Sequence, residues 1–182
     1  MTGWRRLVTP TVAALVALYL AVMVIKGAPL TQRQFVEFQA NGLLKTAPKL
    51  IHRIELVCGD RRLDLQRQES DNWATATGTP IKVSAAKQIS TALEMMHNSG
   101  PARELTAGDV KGSDPAEFGL RNPRITATLY AADNDQVMTV HFGARNPDDF
   151  LQYTRVDNDA HLYLMSRFIG ETWLSAFDAS LP

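Results

Sequence analysis

The chain has 182 residues, 19 of them basic and 19 acidic, and so carries no formal net charge. That balance argues against a nucleic-acid partner, which needs a basic face; the 45% apolar content argues against a disordered chain. Cys58 is the sole cysteine, so neither an internal disulfide nor a cysteine-based zinc site can form, and inside an apparent strand such a thiol reads as a small buried hydrophobe.

From Leu7 to Ile25 the sequence has no charge. At about 1.5 Å per residue, a helix of that length nearly spans the roughly 30 Å hydrocarbon layer of a bilayer. Thr9 as a cap, Pro10 at the first helical position and Gly27 with Pro29 as a stop punctuate it. Trp4 sits where an interfacial aromatic belongs, and Arg5 and Arg6 precede the run, which favours a cytoplasmic N-terminus. A cleaved signal needs small residues before the cut. Ala28 offers a poor one, with Lys26 before it and Pro29 after it. The expectation is an uncleaved signal anchor over residues 1–28, running from Pro10 to Ile25. Ala14, Ala17 and Ala21 recur in it at three- and four-residue spacing, either as a face for helix packing or as ordinary lipid-facing alanine.

Residues 29–49 read as a juxtamembrane helix or linker. Thr31 is a plausible cap, Phe35 to Gln39 a short helix, and Asn41-Gly42 its end. Residues 50–182 read as one periplasmic domain. In "LIHRIELVCGDRRLDLQRQ", Ile54, Leu56 and Cys58, then Leu63 and Leu65, alternate with mostly polar neighbours around Gly59-Asp60, the pattern of a hairpin. "SDNWATAT" is a short strand. "VSAAKQISTALEMMHNSG" is a helix capped by Ser84, with Ile89, Leu93 and Met96 at helical spacing and Gly100-Pro101 as its end. "ARELT" is a further strand, and "GSDPAEFGLRNP" is turn-rich with one helical turn at Pro115 to Phe118.

A second hairpin follows in "RITATLYAADNDQVMTVHFG". Val137, Thr139 and His141 share one face of its second strand; Met138, Val140 and Phe142 share the other. "LQYTRVDNDAHLYLM" is a third hairpin around Asp157-Asn158-Asp159. "SRFIGETWLSAF" is a closing helix capped by Ser166, with Phe168, Ile169, Trp173 and Leu174 on its apolar side. The expected class is α+β: a mainly antiparallel sheet of hairpins with two packing helices, and an internal duplication in which each half ends in a helix.

No residue pattern here defines a catalytic, cofactor or metal site. His52, His97, His141 and His161 contain no pair at the i, i+4 spacing of a helical metal site, and His141 and His161 read as solvent-facing strand residues. Asp133-Asn134-Asp135 and Asp157-Asn158-Asp159 resemble the start of a calcium loop, but the sixth and twelfth positions lack the required Gly and Glu. Tight hairpin turns explain both. Asp148-Asp149 reads as a solvated turn.

At "EFGLRNPRITATLY" the chain resembles the bacterial domain-of-unknown-function family 4340. The resemblance rests on Phe118-Gly119-Leu120, Pro123 and the strand after it, then Gly143, Tyr153 and Tyr163, and upstream on "IHRIEL", Trp73 and the helix around Leu93; it covers roughly Leu50 to Trp173. It implies an extracytoplasmic α+β domain behind one membrane helix, associated with gliding-type ABC transport components, and no catalytic residues. In the turn itself, Gly119 supplies a backbone shape that other residues resist, Leu120 plugs the core, and Pro123 starts the strand where no ladder donor is needed.

The expectation for function is a non-catalytic accessory subunit of a bacterial inner-membrane complex. Its partners are the membrane and other inner-membrane subunits, with no nucleic acid and no cofactor. The rivals are a ligand- or lipid-binding component of an ABC-type transport system and a periplasmic enzyme with a dispersed site.

Overall fold

A computed structural model of the chain describes residues 4–25, 40–69 and 72–181; in its first helix the side chains are described from 12 to 23. The chain divides into two units, Met1–Phe38 and Gln39–Pro182. In the first, helix α1 runs Trp4–Ile25, 22 residues. It starts before Thr9, so Thr9 is not its cap and Pro10 lies inside it rather than at its first position. Pro10 then costs the helix one backbone hydrogen bond. Among the described residues no helix is long and apolar enough to cross a membrane. The described side chains of α1, 12 to 23, cover about 18 Å against a layer of about 30 Å. Thr31, the helix at Phe35 to Gln39 and the stop at Gly27 and Pro29 lie outside the described residues.

The second unit is α+β. Its strands are β1 (Arg53–Cys58), β2 (Arg61–Arg67), β3 (Trp73–Thr75), β4 (Arg103–Leu105), β5 (Ile125–Tyr130), β6 (Gln136–Arg145), β7 (Leu151–Val156) and β8 (Leu162–Ser166). They form one eight-stranded sheet in the order β3-β2-β1-β5-β6-β7-β8-β4, with every neighbouring pair antiparallel. The period-2 alternation fixes which face is buried. Ile54 lies opposite Leu129, Leu56 opposite Ala127, and Ala127 opposite Val140, so one apolar layer runs across the middle of the sheet. The intervening positions carry polar pairs such as Glu55 with Asp64 and Thr128 with Thr139.

Helices α2 (Val83–Asn98) and α3 (Arg167–Ser180) pack against each other over that layer. Ile89, Leu93 and Met96 of α2 and Ile169, Trp173 and Phe177 of α3 join the strand residues in one core. Two caps differ from the sequence reading. The N-cap of α2 is Lys82, not Ser84, and it makes no side-chain cap bond. The reason is upstream: Ile81 packs on the core and its amide bonds to the Trp73 carbonyl, 3.1 Å, which sets the helix start immediately after it. At α3, Ser166 is the N-cap by position but makes no cap bond. Helix α2 closes at Ser99 through a bond to the Met95 carbonyl, one residue before Gly100.

Residues 40–49 belong to the folded unit rather than to a linker. Leu44 is fully buried. The Gly42 and Leu44 amides bond to the His97 and Met96 carbonyls, and His97 Nδ1 lies 2.8 Å from the Leu44 carbonyl. A Cβ on Gly42 would stand 2.0 Å from the Met96 carbonyl oxygen, so only glycine lets the chain run this close to the end of α2. The sheet edges are guarded in different ways. Beside β3, Ala74 bridges to Pro80, which has no amide to offer. At the other edge, β4 is three residues long with Arg103 and Glu104 exposed.

Because Ser84 makes no cap bond, Ser84→Ala is expected to change stability by less than about 0.5 kcal/mol. Ile89→Ala, at a fully buried position, is expected to cost about 2–5 kcal/mol. Thermal melts of the two variants check this, and a loss of about 1 kcal/mol or more in Ser84→Ala would restore the cap.

Candidate functional site

The site begins with an irregularity in β6. The pairing of β6 with β7 shifts register between Phe142 and Arg145, which leaves Gly143 and Ala144 without a register partner on β7. Both find partners. Buried Gln152 donates its side-chain amide to the Gly143 carbonyl at 2.9 Å, and the Ala144 amide donates to the Phe118 carbonyl at 2.8 Å. The second bond docks the long β4–β5 connection onto the sheet. Gly119 sits there at φ +65°, and a Cβ on it would stand 2.5 Å from the Ala144 amide nitrogen. A Cβ on Gly143 would meet the Phe118 oxygen at 2.2 Å. Leu120 is buried against Gly143, the Phe118 ring lies 4.9 Å from the Tyr153 ring, and β5 starts two residues beyond Pro123.

Under this docked loop is a cavity of about 160 Å³. Its apolar walls come from Val110, Pro115, Phe118, Leu120 and Leu162, and its polar lining includes Ser113, Arg155, Asp159 and His161. The polar side belongs to the β7–β8 turn, where Asn158 takes φ +63°. The carboxylates flanking Asn158 each hold a histidine. His141 has Nε2 2.8 Å from Asp157 and Nδ1 3.1 Å from the Thr126 hydroxyl. His161 has Nδ1 2.9 Å from Asp159. Asp159 also accepts bonds from the Tyr163 hydroxyl, 2.6 Å, and the His161 amide, 2.9 Å. The Tyr163 bond, then the His161 amide, holds the Asp159 carboxyl below the usual carboxylate range. Burial, with the adjacent Asp159, pushes the Tyr163 hydroxyl upward. Arg155 is a different case: its nearest carboxylate oxygen, on Asp157, is 3.8 Å away, too far for a hydrogen bond.

A second concavity, about 500 Å³, lies between the outer faces of α2 and α3. Ser84, Lys87 and Thr91 line it from α2, and Thr172, Ser175 and Phe168, which is 56% exposed, from α3. At the same end, Arg145 and Arg167 both pair with Asp149, and Arg145 also reaches Glu171. The Arg145 bond, the largest effect, holds the Asp149 carboxyl low. Within Asp148-Asp149, Asp149 is therefore ion-paired rather than merely solvated.

The sequence reading placed His141 and His161 in solvent, yet the His141 side chain is only 14% exposed and wedged between Thr126 and Asp157. Gly119 and Leu120 do stand at the loop's docking point, and Ala14, Ala17 and Ala21 are exposed on α1. Among the described residues no three His, Cys, Asp or Glu side chains gather as a metal site. The Asp157-Asn158-Asp159 turn ahead of His161 was the one visible signal of this site. No family model, no curated protein and no solved structure matches the chain.

Two glycines separate strain from crowding. Gly59 also holds positive φ, but a Cβ there meets nothing within 4 Å. Gly59→Ala is therefore expected to cost about 1 kcal/mol for the backbone conformation alone. Gly119→Val adds a β-branched side chain against backbone and is expected to cost at least about 3 kcal/mol; equal melting temperatures for the two variants would contradict the docking geometry.

Asp159 supplies a pH test. Its folded pKa is lower than its unfolded one, so the stability it contributes is present above about pH 4 and is lost as pH falls through the folded value. Asp159→Asn is expected to be less stable than the parent near neutrality, with the gap narrowing below about pH 4. Melting curves taken down to about pH 2 read it, and a gap that stays constant would contradict the assignment.

Proposed function

We propose that the chain is a non-catalytic accessory subunit of a bacterial inner-membrane complex. In this reading α1 is a single-pass anchor with a cytoplasmic N-terminus, and the unit Gln39–Pro182 lies in the periplasm and binds partner subunits. The observation that carries it is the surface of α1. Val12, Leu15, Val16, Leu18, Tyr19 and Met23 are all between 51% and 61% exposed. At 100° per residue these large side chains cover about 160° of the helix, and the exposed Ala13, Ala14, Ala17, Leu20 and Ala21 fill the rest; a helix that is apolar all round needs lipid or protein around it. The uncharged run from Leu7 to Ile25 lies within α1, whose 22 residues extend about 33 Å.

The likeness to family 4340 adds that the partners are transport components. The two outward-running meanders, β1 to β3 and β5 to β8, each followed by a helix, support the internal duplication. The groove between α2 and α3, with Phe168 at its end, is the surface on which a partner would rest. The cavity under the β4–β5 loop favours a second reading, a ligand-binding component of the same transport system.

Purification of the tagged full chain in mild detergent tests the first reading. The expected result is a defined set of co-purifying membrane subunits, lost when the helix from Pro10 to Ile25 is exchanged for an unrelated apolar helix that preserves membrane attachment but removes side-chain packing. A chain that purifies alone in mild detergent would overturn the subunit reading.

A further inference from the structure

We infer that the cavity beneath the β4–β5 loop is a peptide-recognition pocket that takes one large aliphatic or aromatic side chain together with the neutral amide group beside it. The inference rests on the partner-binding reading for who supplies the peptide. The chemistry of the pocket stands on the residues themselves.

Size comes first. The cavity holds about 160 Å³, close to the volume of engineered apolar cavities that accept one benzene ring. Val110, Pro115, Phe118, Leu120 and Leu162 make its walls apolar. A leucine or phenylalanine side chain fills such a space; a lipid tail does not fit in it.

The polar rim then selects what the side chain is attached to. Arg155 lines the cavity, and its nearest carboxylate oxygen is 3.8 Å away, so its guanidinium has donors to offer. Asp157 is held by His141. Asp159 is occupied by Tyr163 and by both the amide and the ring of His161. With Nδ1 of His161 turned to Asp159, Nε2 is the remaining polar atom of that ring. The rim thus offers donors on Arg155 and the outward Nε2 of His161, a lone pair in the tautomer that donates Nδ1–H to Asp159. A carbonyl answers the first and an N–H the second, and an amide carries both.

Charge argues for the same occupant. Arg155 has the Asp157 carboxylate 3.8 Å away and shares the cavity lining with Asp159, so the rim has no surplus of positive charge for an anion. Nor does it suit a cation, because both carboxylates already have hydrogen-bond donors. A neutral amide enters without leaving a buried charge unpaired.

Full-length protein in lipid nanodiscs, with methyl-labelled leucine and valine, is titrated with N-acetyl-leucinamide and, in parallel, with N-acetyl-leucine, whose carboxylate replaces the neutral terminal amide. The expected result is that the amide shifts the Val110, Leu120 and Leu162 methyl signals with millimolar affinity and that the carboxylate binds more weakly. Arg155→Met is expected to weaken the amide about fivefold, the loss of one hydrogen bond, without moving the melting temperature. Val110→Trp, which fills the cavity, is expected to abolish the shifts.

Absence of any shift in the parent protein, or equal binding to Val110→Trp, overturns the pocket. Tighter binding of the carboxylate overturns the amide assignment. Because the titration contains no partner protein, its failure is separate from a failure of co-purification.

Discussion

The register shift in β6 is the constraint from which the candidate site follows. Successive residues of a strand turn their backbone groups to opposite sides, so an unbroken ladder would place those of only one of Gly143 and Ala144 on β7. The bulge instead leaves one acceptor and one donor, and burial makes leaving either unsatisfied costly, about 1–3 kcal/mol each. Gln152 takes the acceptor and Phe118 the donor. The first bond explains a glutamine only 2% exposed, on a strand whose other fully buried residue, Thr154, is polar as well. The second decides where an otherwise irregular connection sits. Gln152 also limits α3: a Cβ on Gly170 would stand 2.1 Å from its Oε1, so glycine is what allows the helix to settle on β7.

The rest of the domain supports that point rather than competing with it. The helix pair covers one side of the sheet with Ile89, Leu93, Trp173 and Phe177, which leaves the other side free for polar rows such as Arg53 with Asp64 and Thr126 with His141. The β7–β8 turn lies at the end of such a row. There the strands have brought two histidines, two aspartates, an arginine and a tyrosine together beside the docked loop. At this corner polar strand positions, a tight turn and an apolar roof meet.

What could be read from the sequence was what depends on short-range pattern. The three hairpins followed from alternation, as with Ile54 and Leu56 or Ile125, Ala127 and Leu129, and both helices of the domain followed from apolar spacing. Features set by distant partners were not legible. Leu44 lies in an aperiodic stretch and is buried only because α2 ends above it. The start of α2 depends on Ile81 reaching back to Trp73, which no local capping rule includes. The pairing of His141 with Asp157 requires the register of β6 on β7, and the meeting of Asp159 and His161 with Phe118 in one cavity requires the docked loop. Gly119 and Leu120 were visible as a turn and a plug, but what they plug was not.

On this account a helix that is apolar on every side holds a recognition domain at a membrane. Protease added to the outside of spheroplasts carrying the full chain with a tag after Pro182 tests that most directly. Carbonate-washed membranes should retain the intact chain, and external protease should remove the tag without permeabilisation of the inner membrane. A chain released by carbonate, or a tag protected until the inner membrane is opened, would contradict the account.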